Sequence, residues 1–248
     1  MNQTYPVGRV LGIRVDVHAT FALFLAVVGL GGLVAGGVGG LLGELVFAGL
    51  LFGMVLLHEL GHALTARQFG VRTQGITLLP FGGVALMDAM PARPGQEILV
   101  ALAGPAVNMA IATVLLAVSG PETLAGYGLL GRLLWINVGL ALFNLIPAFP
   151  MDGGRVLRAW LTGRVGARAA TLTAAAVAQV AAGAMGVVGL LTSPMLVLIA
   201  IWVWLQADAE KELARGGLRG PEVVDAQFED EAPRVVIRRV VRRGPPGW

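Results

Sequence analysis

The sequence predicts an all-α polytopic membrane protein with about six transmembrane helices and a small re-entrant β-hairpin between the second and third. Three observations predict it. Apolar residues make up 56% of the 248, while charged residues make up 13%, about half the usual share of a soluble domain. Mean hydropathy is +0.77. The few charges also fall in clusters, separated by apolar runs long enough to cross a hydrocarbon core of about 30 Å. This composition argues against a soluble enzyme, a coiled coil and a disordered regulator. With no cysteine in the chain, disulfides, thiolate metal sites and cysteine nucleophiles are excluded, so any metal must be held by nitrogen and oxygen. The 36 glycines show no collagen-like period and read as close packing between apolar helices.

Charge spacing gives the elements in order. The uncharged run between His18 and Glu44 provides a first span at 19–43, and no cleavable signal peptide is evident ahead of it. The second, 45–66, is unusual because His58, Glu59 and His62 lie inside it. A third occupies 98–119, between Glu97 and Glu122, and a fourth 133–151, with Asp152 at its end. The long uncharged stretch from Ala169 to Ala207 suits two crossings, 169–188 and 190–207, with a turn near Gly186 to Pro194. Residues 1–207 therefore read as one transmembrane domain and 208–248 as a cytosolic, poorly ordered tail with no nucleic-acid partner. Of the 18 basic residues, all but Arg132 fall on one side of this arrangement. Positive charge concentrates in cytoplasmic loops, so both termini are expected in the cytoplasm of a multi-pass cell-membrane protein.

Chemistry enters with the second span. Met54 to Leu64 contains His58-Glu59-Leu-Gly-His62, an HExxH pattern that puts two imidazoles on one helical face with a carboxylate beside them. Chance would produce it roughly 0.001 times in such a chain. Ionisable groups inside a span are costly unless they pair, hold a metal or face water. A catalytic zinc takes three protein ligands and keeps a position for water, so a third is needed. Asp152 is the outstanding candidate: the prolines and glycines of Asn144 to Gly154 break the helix and can aim a carboxylate inward. The plain alternative is an aspartate capping the basic helix that follows. His18 reads as structural or interfacial. Spans two and four end in the same leaflet, so these ligands can meet; His58 lies about 13 Å along the helix axis from the flank at Arg67, within the membrane toward the cytoplasm. Between spans two and three, Gly75 to Met87 is apolar but too broken by Pro80, Gly82 and Gly83 to cross as a helix. It reads as a re-entrant hairpin whose edge pairs with an extended peptide, with an interfacial loop as the alternative.

These residues resemble the site-2 proteases, zinc metalloproteases that cut within membrane spans. His58 to His62 is similar to that family's zinc helix, Asn144 to Gly154 to its NxxPxxPxDGG segment, and Gly104-Pro105-Ala-Val-Asn108 to its GPxxN element. The opening Arg9 to His18 also looks familiar, and the resemblance covers roughly residues 8 to 165. There is room neither for a PDZ domain between spans two and three nor for a CBS domain in the tail, which makes the chain similar to the compact branch. The resemblance implies one zinc per chain on His58, His62 and Asp152, with Glu59 moving the proton of the attacking water. It implies oxyanion or substrate contacts from Asn108 and Asn144, for which interhelical hydrogen bonding is the alternative, and substrate pairing at Phe81, Gly82 and Gly83. The implied substrate is a single-span, membrane-tethered regulatory protein such as an anti-sigma factor, cut within the lipid bilayer. A non-catalytic membrane protein that binds a metal or a helix is the competing class. Glu59 argues against it, because metal storage needs no base beside the ligands.

Overall fold

A computed structural model describes residues 4–80, 82–91 and 93–216. Its elements run β1 (Thr4–Val10), β2 (Ile13–His18), α1 (Ala19–Gln68), β3 (Thr73–Leu79), β4 (Gly82–Met87), α2 (Pro94–Ser119), a 3-10 turn (Pro121–Ala125), α3 (Gly128–Asn144), α4 (Asp152–Val165), α5 (Ala167–Thr192) and α6 (Pro194–Arg215). Among the described residues, three helices, α1, α2 and α5, are long and apolar enough to cross a membrane; α3 is apolar but shorter.

The all-α expectation needs one correction: the described residues contain a four-stranded sheet, ordered β1-β2-β3-β4. The hairpin expected between Gly75 and Met87 is there, as antiparallel β3 and β4. A second hairpin, β1 with β2, precedes α1. Its turn is Leu11-Gly12, both with positive φ, as a two-residue hairpin turn of the primed type requires. Leu11 carries none of the Asn or Asp chemistry by which such turns are recognised, so the charged residues around it read as a lead-in to a span. Strand β2 pairs in parallel with β3, and α1 is the long crossover that parallel pairing demands. The period of two in β2 and β3 buries Ile13, Val15, Ile76 and Leu78 against Leu60 and Ala63 of α1. The sheet thus lies directly on the helical turns that carry the histidines.

Helix α1 is two arms. The backbone leaves helical geometry at Gly36 and Gly37, where Gly37 has φ of 62° and ψ of −150°, a region open to glycine and to few other residues. The chain folds back there, and Phe21 of the first arm meets Phe52 of the second edge to face, ring centroids 4.4 Å apart. The break falls seven residues ahead of the boundary set by Glu44, because glycine geometry makes the turn and charge only marks polarity. Glu44 instead stands inside the second arm, 3.4 Å from Arg132 at the start of α3.

Two further boundaries move. Helix α3 ends at Asn144 rather than near Met151, since Pro147 and Pro150 cannot continue the backbone ladder. Helix α6 runs through to Arg215, so the first residues assigned to the tail are its last turns; residues 217–248 lie outside the described residues. The turn between α5 and α6 falls at Ser193, inside the expected window. These two helices pack through small side chains, Ala174, Ala175, Ala178 and Ala182 against Val203 and Ala207, and the same cluster takes in Ala148, Phe149 and Met151. That contact anchors the turn leading to Asp152.

Candidate metal centre

His58 and His62 occupy successive turns of the second arm of α1, and Asp152 is the first residue of α4. The fold brings all three together, each buried. The two Nε2 atoms are 3.1 Å apart. Asp152 Oδ2 lies 3.3 Å from Nε2 of His58 and 3.2 Å from that of His62. Asp152 is not the cap residue of α4, a position held by Met151, and its carboxylate turns to the imidazoles. His18, by contrast, has the structural role expected of it and caps α1 by accepting from the Thr20 amide at 3.3 Å.

The residues present fit a zinc ion. Ligands bonded at about 2.0–2.1 Å in a tetrahedral shell stand roughly 3.3 Å from one another, and the three edges of this triangle have that length. Nδ1 of His62 is 2.7 Å from the Val100 carbonyl. A carbonyl only accepts, so the imidazole proton is on Nδ1 and the Nε2 lone pair faces Asp152 and His58. Oδ2 of Asp152 is buried without a hydrogen bond. Lone pairs converging this closely in a buried site call for a cation between them.

Helix α2 makes room for this. Gly104 sits under both rings: a Cβ there would lie 2.6 Å from Nε2 of His58 and still closer to Nε2 of His62. Gly104→Ala should therefore weaken zinc binding at least about tenfold, measured by competition with a chelating dye, while the helical circular dichroism stays unchanged. Zinc affinity equal to that of the parent protein would show that the rings do not need this space. Helix α4 is tied to α2 by an ion pair between Arg158 and Glu97. The sequence had placed Glu97 only as a span end.

Glu59 follows His58 and lies against strand β4. A Cβ on Gly83 would lie 2.6 Å from Glu59 Cγ, so the β4 backbone rests on this side chain. Both border a cavity of about 460 Å³ that also contains the three metal-ligating candidates, Asn108, Asn144 and Gly82. Asn108 is fully buried, and neither its Oδ1 nor its Nδ2 has a partner. Asn144 is the last residue of α3. Phe81 lies outside the described residues. The cavity also takes in Arg155, Trp202, Gln206 and Glu210, to which the sequence assigned no role. Arg155 carries a faint signal, one turn beyond Asp152; the α6 residues carry none, because only tertiary packing brings them here. Asn137, also missed, is fully buried and structural, donating to the Leu133 carbonyl at 2.8 Å and reaching Met54 Sδ at 2.7 Å.

Residues 46–127 and 122–188 match the family model described as Peptidase family M50. The chain belongs to that family. This M50 protein is 40% identical over 221 residues to Zinc metalloprotease MJ0392 of Methanocaldococcus jannaschii, across 86% of its own length and 62% of the relative's. It is 31% identical over 105 residues to Stage IV sporulation protein FB of Bacillus subtilis, across 42% of its length and 36% of that relative's. It thus spans less than two thirds of either. Among solved structures it is similar to the Site-2 Protease from Methanocaldococcus jannaschii, with a TM-score of 0.63 at 40% identity, covering 84% of this chain and 95% of that one. The M50 sequence, the site-2 protease fold and the buried His58-His62-Asp152 group together make zinc the metal that family membership implies.

Proposed function

We propose that this protein is a zinc-dependent intramembrane endopeptidase, with His58, His62 and Asp152 as the metal ligands and Glu59 as the catalytic base. The observation that carries the proposal is the buried ligand triangle, 3.1–3.3 Å on its edges, in one cavity with a carboxylate that is not part of it. Zinc, when bound, supplies Lewis acidity, bringing the pKa of water toward about 7 and polarising the scissile carbonyl. Glu59 takes the proton of the attacking water and returns it to the leaving amine. Val100 holds the His62 ring in the tautomer that leaves Nε2 bare. Asn108 and Asn144 offer amide donors to the oxyanion, worth about 2.7–4 kcal/mol where such a donor is lost.

The substrate we infer is a single-span, membrane-tethered regulatory protein. Its helix hides the scissile carbonyl in its own hydrogen bonds and has to be drawn out before it can be cut. Strand β4 ends the sheet and borders the cavity through Gly82 and Gly83, so an extended substrate segment would add to its edge. The two arms of α1 with α2, α3, α5 and α6 account for six crossings. With the arginines counted by side, both termini are cytoplasmic and the site lies toward the cytoplasmic face. The β3-β4 hairpin is re-entrant in this reading, tolerated at depth because protein covers it.

Metal removal tests the proposal. Purified protein stripped with a zinc chelator should lose cleavage of a single-span substrate, and one equivalent of zinc should restore it. Undiminished cleavage by protein shown to be zinc-free would overturn the reading.

A further inference from the structure

The far end of α6 brings a charged group into the cavity that neither metal ligation nor proton transfer uses. Trp202, Gln206 and Glu210 line the cavity and recur every four residues, so they share one face of the helix. The neighbouring face fixes their position. Val203 and Ala207 are buried against Ala148, Phe149 and Met151, the residues that lead into Asp152, which sets the register of α6 against the metal centre.

Other charges at this end of the helix have partners. Asp208 accepts from Gln179 Nε2 at 3.3 Å, Lys211 donates to Gln179 Oε1, and Glu212 pairs with Arg215 at 3.0 Å. Glu210 has no hydrogen bond or ion pair among the described residues, although it is partly buried and faces the cavity. The cation in the same cavity, Arg155, forms no ion pair with Glu210 among the described residues. A lone carboxylate facing a cavity leaves unmet attraction for a positive charge, and complementary charge confers specificity more than affinity.

We propose that Glu210 is a specificity determinant, recognising a Lys or Arg side chain on the flank of the substrate's membrane-spanning segment. This rests on the proteolytic reading above, which places the end of α6 on the cytoplasmic side, where single-span proteins carry their basic residues. The pairing anchors that flank at one end of the cavity and so determines which peptide bond lies over the metal centre.

The test uses the full chain in nanodiscs and two single-span substrates that differ only in a cytoplasmic-flank residue, Lys or Glu. Wild type should cleave the Lys substrate about tenfold faster in kcat/KM, Glu210→Gln should lose the preference, and Glu210→Lys should reverse it. Binding is measured in parallel on Glu59→Gln protein with and without the Glu210 changes, and should follow the same order. Cleavage with the same preference in wild type, Glu210→Gln and Glu210→Lys, or with no preference in wild type, overturns the role of Glu210 and leaves the protease reading intact. Tenfold discrimination in binding that reverses with Glu210→Lys, without cleavage by wild type, upholds the recognition and overturns the proteolysis. Neither binding nor cleavage of either substrate overturns both. Glu210→Gln, being nearly isosteric, keeps the test decisive should the charge reversal fail to fold.

Discussion

Glu59→Gln should keep its full complement of zinc and lose cleavage by about 10²–10⁴-fold, the range supplied by a positioned proton-transfer group. The amide has nearly the shape of the carboxylate, so its packing against the β4 backbone at Gly83 is preserved. It has no lone pair basic enough to take a proton from water. The ligand triangle is made by other side chains, so metal content is not expected to change. The measurement pairs zinc per chain with the single-turnover cleavage rate on one substrate preparation. Equal cleavage by parent and variant would remove Glu59 from the chemistry. A parent that binds zinc and cuts nothing would favour a metal- or helix-binding protein instead.

Asp152→Ala should weaken zinc binding by more than about 100-fold, beyond the 10–100-fold typical of losing an outer-shell partner. Two imidazoles remain, without the anion that offsets the charge of a divalent ion. Asp152 is buried at the start of α4, so truncation also leaves a small void. Asp152→Asn controls for this, keeping the volume while removing the charge. Both variants should fall in zinc affinity and in cleavage together. Full zinc occupancy in either would take Asp152 out of the ligand set.

The grouping of His58, His62 and Asp152 was legible in the sequence because the pattern behind it is local. HExxH places two imidazoles on one helical face whatever surrounds them, and the Pro and Gly pattern around Asp152 announces a break that ends in a carboxylate. The expected hairpin was legible for the same reason, since Pro80, Gly82 and Gly83 interrupt an apolar run. What was not legible depends on long-range contacts or on unusual local geometry. Leu11-Gly12 turns a hairpin without turn-type residues before the glycine. The fold-back of α1 at Gly36 and Gly37 is hidden in a run of glycines that charge spacing passes over. Gly104 looks like one small residue among many until the two rings are seen above it, and Glu210 is 58 residues beyond Asp152 in the chain. No period in α6 points to the cavity; Val203 and Ala207 decide which face is turned to it.

The central claim is that His58, His62 and Asp152 surround one metal ion, and X-ray absorption at the zinc edge tests it most directly. For the parent protein the prediction is one zinc per chain with two imidazole nitrogens and a carboxylate oxygen at about 2.0–2.2 Å, and loss of that signature in Asp152→Ala. A zinc shell without imidazole scattering, or one unchanged by Asp152→Ala, would contradict it.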